Sequence, residues 1–235
     1  MSERRLVILP RSDTYESFEQ PQLDDARATE LAAAEDIPGL RRLLLDRARG
    51  GHEPYDVVAL GGYPGSLWEY VGQASLEGSE EPVPVQRLRR TAIDPSTALW
   101  FTIGNEFNPG DPFGRVALTI DDQDRVTLEH YSRQGNATYT AELGDGVLDE
   151  IRQALADGGF PQVPQHQVPA GAAIRQLELV TDGEPVSASM YDDFGKTFDG
   201  YRDAFAILDS LTLQLTGHAE HDQLKTPVSN IEKVA

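Results

Sequence analysis

The sequence predicts an α+β protein: a small N-terminal α/β (βαβ-like) segment, a mainly antiparallel sheet with two packing helices, and a short flexible C-terminal tail. Three observations carry this reading. Continuous apolar runs at residues 6–9 and 57–60 flank a helical stretch, as buried strands flank a crossover. From residue 116 onward, apolar and polar residues alternate in runs separated by turn formers, the pattern of antiparallel hairpins. Two later segments repeat apolar residues at helical spacing instead.

Residues 5–10, RLVILP, form an apolar run closed by proline and read as a strand. Residues 22–49 read as two helices divided at Asp36-Ile37-Pro38, with Asp36 as N-cap and Pro38 in the first turn. Leu40, Leu43, Leu44 and Ala48 share one face of the second helix, and Gly50-Gly51 stops it. DVVALGGY (56–63) is a second buried strand, and SLWEYVGQASL (66–76) reads as a short helix capped by Ser66. VQRLRRTAI (85–93) and ALWFTIG (98–104) are strand-like, and a hairpin turns at Asp121-Asp122-Gln123-Asp124 between Ile120 and Val126. Ala137, Tyr139, Ala141 and Leu143 alternate in the next strand. Val147, Leu148, Ile151, Ala154 and Leu155 then line a helix that ends at Gly158-Gly159. A second hairpin turns at Thr181-Asp182-Gly183, and a last helix carrying Tyr201, Phe205, Leu208, Leu211 and Leu215 stops at Gly217.

This pattern divides the chain into an α/β segment (1–77), an acidic, proline-bearing linker or long loop (78–84), an antiparallel α+β region (85–217) and a flexible tail (218–235), which together could integrate into one domain. The tail has no clear period, and its removal after Gly217 is expected to leave the fold intact.

With 235 residues, 39% hydrophobic and 25% charged, the chain has the balance of a globular protein and the length to bury a core without cross-links. It contains no cysteine, which excludes disulfides, thiolate nucleophiles and cysteine-based metal sites. Neither a signal-peptide core nor a membrane-spanning run is present in the sequence, so a bacterial cytoplasm is the expected location. The net charge of −19 argues against nucleic acid and anionic membranes, which are polyanions, and allows either simple solubility or attraction to a basic partner.

Asn105-Glu106 follows Gly104 at the end of an aromatic-rich strand. This short stretch resembles the acid/base motif of retaining glycosidases built on (β/α)8 barrels. The resemblance implies Glu106 as the proton donor and Asn105 as a substrate contact. It spans only a handful of residues, and the chain departs from the family elsewhere. The surrounding strands alternate as antiparallel ones do, and none of the later glutamates (Glu129, Glu142, Glu178, Glu184) ends an isolated apolar strand to supply a nucleophile. Asn105, Asn108, Pro109, Gly110, Asp111 and Pro112 are then turn formers. His130 joins Glu106 and Asn105 as a candidate acid or base, although its phase with Val126 and Leu128 turns it toward the core.

Gly62, Gly65 and Ser66 follow a strand where an anion could sit on backbone N–H groups, but the spacing is neither a dinucleotide fingerprint nor a P-loop. Trp68 and Trp100 could line a ligand pocket, with core packing the commoner role. His218 and His221 lack a third ligand, the acidic turn at 121–124 lacks the EF-hand glycine and glutamate, and Asp192-Asp193-Phe194-Gly195 stands without other kinase signatures. No metal or cofactor is expected.

No convergent catalytic set emerges. The expected function is a protein-binding module for a basic partner, of the kind represented by bacterial immunity proteins against basic toxins. The alternative is a small enzyme or small-molecule-binding protein with a pocket near residues 100–114.

Overall fold

In the computed structural model the chain divides into two units, Met1–Pro95 and Ser96–Ala235. The structure describes residues 5–13, 15, 22–62, 67–75, 81–104, 114–133, 135–181, 183–218 and 226–234.

The first unit is built on a four-stranded antiparallel sheet in the order β1-β2-β4-β3. Its strands are β1 (Arg5–Pro10), β2 (Tyr55–Leu60), β3 (Trp68–Ala74) and β4 (Val83–Leu88). Between β1 and β2 run α1 (Ala26–Ala33) and α2 (Ile37–Arg49). Asp25 caps α1 by accepting the Arg27 and Ala28 N–H groups, and Asp36 caps α2 by accepting from Gly39 at 3.0 Å. Both faces of β1 and β2 are apolar. Leu6, Ile8, Val57 and Ala59 pack with Leu40 and Leu44 of α2, whereas Val7, Leu9, Val58 and Leu60 form a separate buried cluster with Val85. That two-sided burial explains the unbroken apolar runs in the sequence.

The second unit is a seven-stranded antiparallel sheet in the order β10-β9-β5-β6-β7-β8-β11. Its strands are β5 (Thr97–Gly104), β6 (Arg115–Asp121), β7 (Arg125–Ser132), β8 (Gly135–Leu143), β9 (Ile174–Thr181), β10 (Glu184–Tyr191) and β11 (Val228–Lys233). The helices are α3 (Val147–Asp157), α4 (Asp192–Thr197) and α5 (Arg202–Leu215). Register aligns Leu179, Leu99, Ile120 and Val126 in one row, and Leu177, Phe101, Leu118 and Leu128 in the next. These rows meet Leu148, Ile151, Leu208 and Leu211 of α3 and α5 in one core. Gly104 sits at φ +113, and a Cβ there would lie 2.1 Å from the Gly114 carbonyl oxygen, so the close approach of β5 to β6 demands glycine.

The class is therefore α+β with a mainly antiparallel sheet, as the alternation predicts, but details differ. The N-terminal segment is not βαβ-like: β1 and β2 pair antiparallel, with Arg5 opposite Leu60. Residues 68–74, expected to be helical, form β3, and a register shift between Tyr70 and Gly72, with Gly72 at φ +142, accommodates a bulge. β4, placed after the expected linker, pairs with β2 and β3 inside the first unit. The described end of the chain is not a loose tail. β11 pairs with β8, the Gly144 N–H donates to Pro227 O at 2.8 Å, and buried Thr226 bonds Ser210 and Ile207 of α5.

Truncation after Gly217 removes these contacts and is expected to lower the melting temperature by about 5 °C or more, the size of a few kcal/mol in a chain of this length. Calorimetry on the truncated chain checks this, and an unchanged transition would show that β11 adds nothing to stability.

Candidate binding surface

The residues singled out from sequence do not assemble into a reaction centre. Glu106, Asn105, Gly65 and Ser66 lie outside the described residues. Gly62 follows β2 at φ +80, as a turn requires, and Trp68 is buried in the helix-side core of the first unit. His130, half-buried on β7, stands opposite Val116 and Ala137. Val116 stands in turn opposite Ile103, so this row faces the helices. Trp100 is opposite Glu178 and Thr119 on the other face of the same sheet. His130 and Trp100 therefore point away from each other. A cavity of about 290 Å³ lies between β1 and α1, lined by Leu6, Ile8, Leu23 and Ala32 with Arg5 and Glu35 at its polar rim. Among the described residues no group of three or more metal-ligating side chains forms.

Two buried ionic networks went unrecognised in the sequence. In the first unit, Asp56 opens β2 with no exposure. Its carboxylate receives the Tyr15 hydroxyl, Arg90 Nη2 at 3.1 Å and Nε at 3.3 Å, and pairs with Arg11 Nε at 3.4 Å. Burial, then the hydrogen bond to Asp56, pushes the Tyr15 pKa up to about 12. Burial opposes the charge on Arg90, but the Asp56 carboxylate outweighs it and raises the guanidinium above its ordinary value. A carboxylate held by two cations and a hydroxyl ties strand ends together and is poorly placed to act as a base.

In the second unit, Arg175 of β9 is 2% exposed. It donates Nε to Asp192 at 2.6 Å, and its two terminal nitrogens donate to the two Asp209 oxygens at 3.0 and 2.9 Å, while the guanidinium lies 4.9 Å from the Phe205 ring centre. Burial raises the Asp209 carboxyl above its ordinary value, with Arg175 pulling it back. Burial disfavours the charge of Arg175, yet Asp209 and Asp192 together hold it above the usual value. The signal was present in IRQLELVT, where Arg175 occupies the same alternating phase as Leu177 and Leu179.

What the fold does gather is acidic surface. The Leu143 N–H donates to Asp124 O at 2.8 Å, which joins the β6–β7 turn to the β8–α3 junction. Exposed Asp122 and half-buried Asp121 and Asp124 thereby neighbour a run holding Glu142, Asp145, Asp149 and Glu150, all exposed. Asp149 and Glu150 occupy the first turn of α3, where the helix dipole favours negative charge. Asp121 is structural: it accepts the Gln123 and Arg125 N–H groups at 2.9 Å and Arg125 Nε at 2.7 Å, which lowers its pKa against the opposing effect of burial. Asp149 is paired with Arg152 at 3.1 Å.

No family model matches the sequence, and no curated protein resembles it at a significant level.

Replacing Arg175 by Met leaves Asp209 without its counter-charge and Asp192 with Lys196 alone, and is expected to cost about 3 kcal/mol by denaturant titration. Adding Asp192→Asn and Asp209→Asn should recover part of that loss. No recovery would mean that the packing of the arginine stem, and not its charge, matters. Tyr15 makes alkaline stability a second test. Its folded pKa of about 12 lies above the ordinary tyrosine value of about 10. The stabilisation is therefore complete below about pH 10 and fades as pH rises toward 12. Ultraviolet titration should show the Tyr15→Phe variant losing one tyrosine from the late-ionising class, and its stability should depend less on pH across that window.

Proposed function

We propose that this protein is a protein-binding module whose acidic corner recognises a basic partner in the cytoplasm. One observation carries the reading: the Asp124–Leu143 hydrogen bond joins the two acidic segments on either side of the β7–β8 hairpin at one end of the large sheet. Charge gathered there steers the approach of a cationic surface and makes association dependent on salt. The second unit carries 22 acidic against nine basic residues, whereas the first carries 17 against 11. No helix among the described residues is long and apolar enough to cross a membrane. The alternative of a small-molecule site near residues 100–114 gains no support from His130 and Trp100, which lie on opposite sheet faces.

The test is capture from the native cytoplasm at low and moderate ionic strength, followed by association kinetics with whatever specific protein is retained. The combined variant Asp122→Asn, Asp145→Asn, Glu150→Gln leaves the structural Asp121 in place and should slow association about tenfold or more at low salt. A retained partner whose association rate ignores these three changes would overturn the acidic corner as the recognition surface.

A further inference from the structure

Four strands edge the two sheets, and three of them carry a feature that discourages further pairing. β1 ends in Pro10 and gives its Ile8 carbonyl to the Leu23 N–H at 3.0 Å. β3 contains the bulge between Tyr70 and Gly72. β11 breaks register between Ser229 and Glu232, holds Asn230 at φ +52 and carries Glu232 and Lys233. Bulges, proline and edge charges are the usual guards against strand addition.

β10 lacks them along most of its length. It pairs with β9 over eight consecutive residues without a register shift. The Asp192 N–H donates to Ala173 O at 2.8 Å, which fixes the hydrogen-bonding phase of the ladder. Met190, Ala188 and Val186 therefore direct their backbone groups to β9, while Tyr191, Ser189 and Ser187 direct theirs outward. Among the described residues no backbone group pairs with those three. Ser187 and Ser189 are exposed, and Pro185, the only proline of the strand, stands in the outward phase at its start, so it takes nothing from the ladder.

We propose that β10 is a strand-addition site for an extended, cationic segment of a partner protein. The main-chain groups of Ser187, Ser189 and Tyr191 supply the pairing. The charge requirement comes from exposed Asp193 just beyond the strand's end and from the unit's surplus of 22 acidic over nine basic residues. Lys196 is already paired with Asp192 at 2.5 Å. A second copy is the poorer occupant. Two copies of a unit that carries 22 acidic against nine basic residues repel each other on approach. Three strand spacings, roughly 14 Å, separate β10 from β6, where the acidic corner begins.

The probe is a nine-residue peptide of alternating threonine and valine with lysine at both ends, compared with its glutamate-ended counterpart. Amide hydrogen exchange at Ser187, Ser189 and Tyr191 is followed by NMR. The lysine peptide should slow exchange at these amides at least tenfold at millimolar concentration, and the glutamate peptide should not. Ser189→Pro removes an N–H that bonds nothing on β9, so binding should disappear while the melting temperature stays within a few degrees. Ser189→Arg keeps that N–H, repels the lysine peptide, and should weaken binding at least tenfold even if the proline variant fails to fold. Four results would overturn the proposal: amides already protected in the free monomer, protection that rises with protein concentration as dimers form, equal binding of both peptides, or no protection by either.

Discussion

The second unit is organised around one guanidinium that has no access to water. Arg175 sits in the apolar phase of β9, so its stem enters the core beside Phe205 and its head must meet carboxylates there. The chain supplies them from two later elements, Asp192 at the start of α4 and Asp209 two turns into α5. Gly195 explains itself in this setting, since a Cβ on α4 would come within 2.8 Å of Arg175 Cδ. One side chain thus fixes the position of a strand, a short helix and a long helix together. Such a network adds little net stability over an apolar core of equal volume, but it penalises every arrangement in which the arginine lacks its partners. The bidentate geometry with Asp209 adds direction to that penalty, because only one approach of α5 aligns both N–H···O contacts.

Ion pairs within each unit also shape its exterior. Of the nine basic residues in the second unit, Arg125, Arg152, Arg175, Lys196 and Arg202 each pair with a carboxylate of the same unit. In the first unit Arg11 and Arg90 converge on Asp56, and Arg87 pairs with Glu69 at 2.7 Å. Positive charge is thereby consumed close to home. The surplus acids, Asp122, Asp145 and Glu150 among them, face solvent.

Alternation made β6 to β10 legible, because each strand packs one face on α3 and α5 and period two survives. Caps made α2 legible, with Asp36, Pro38 and Gly50 all at its ends. The direction of β2 was not legible from local pattern. One helix between two strands returns the chain for a parallel strand, whereas two helices in succession reverse it once more, which leaves β2 antiparallel to β1. β3 misled for a different reason. Leu67, Trp68, Tyr70 and Val71 fit a helical face, and the glycine that permits the bulge reads as neutral in sequence. Asp56 and Arg175 were visible as charges in strand phase, but their partners, Arg90 and Asp209, both lie 34 positions away along the chain. No local pattern could join them.

Acidity and strand exposure bear on each other in this fold. An eight-residue edge without bulge or internal charge invites pairing with any extended chain, including another copy of itself. Here the guard is placed beyond the strand's end and over the unit as a whole. Exposed Asp193 lies just beyond the strand, and the surplus of acids opposes the approach of a second copy within the reach that salt allows. Repulsion between like copies and attraction toward a cationic segment are one field seen by two visitors. Under the proposed reading, solubility and recognition are not competing accounts of the charge of −19, because the charges that would keep this edge from closing on itself are those that would leave it open to a partner of opposite sign.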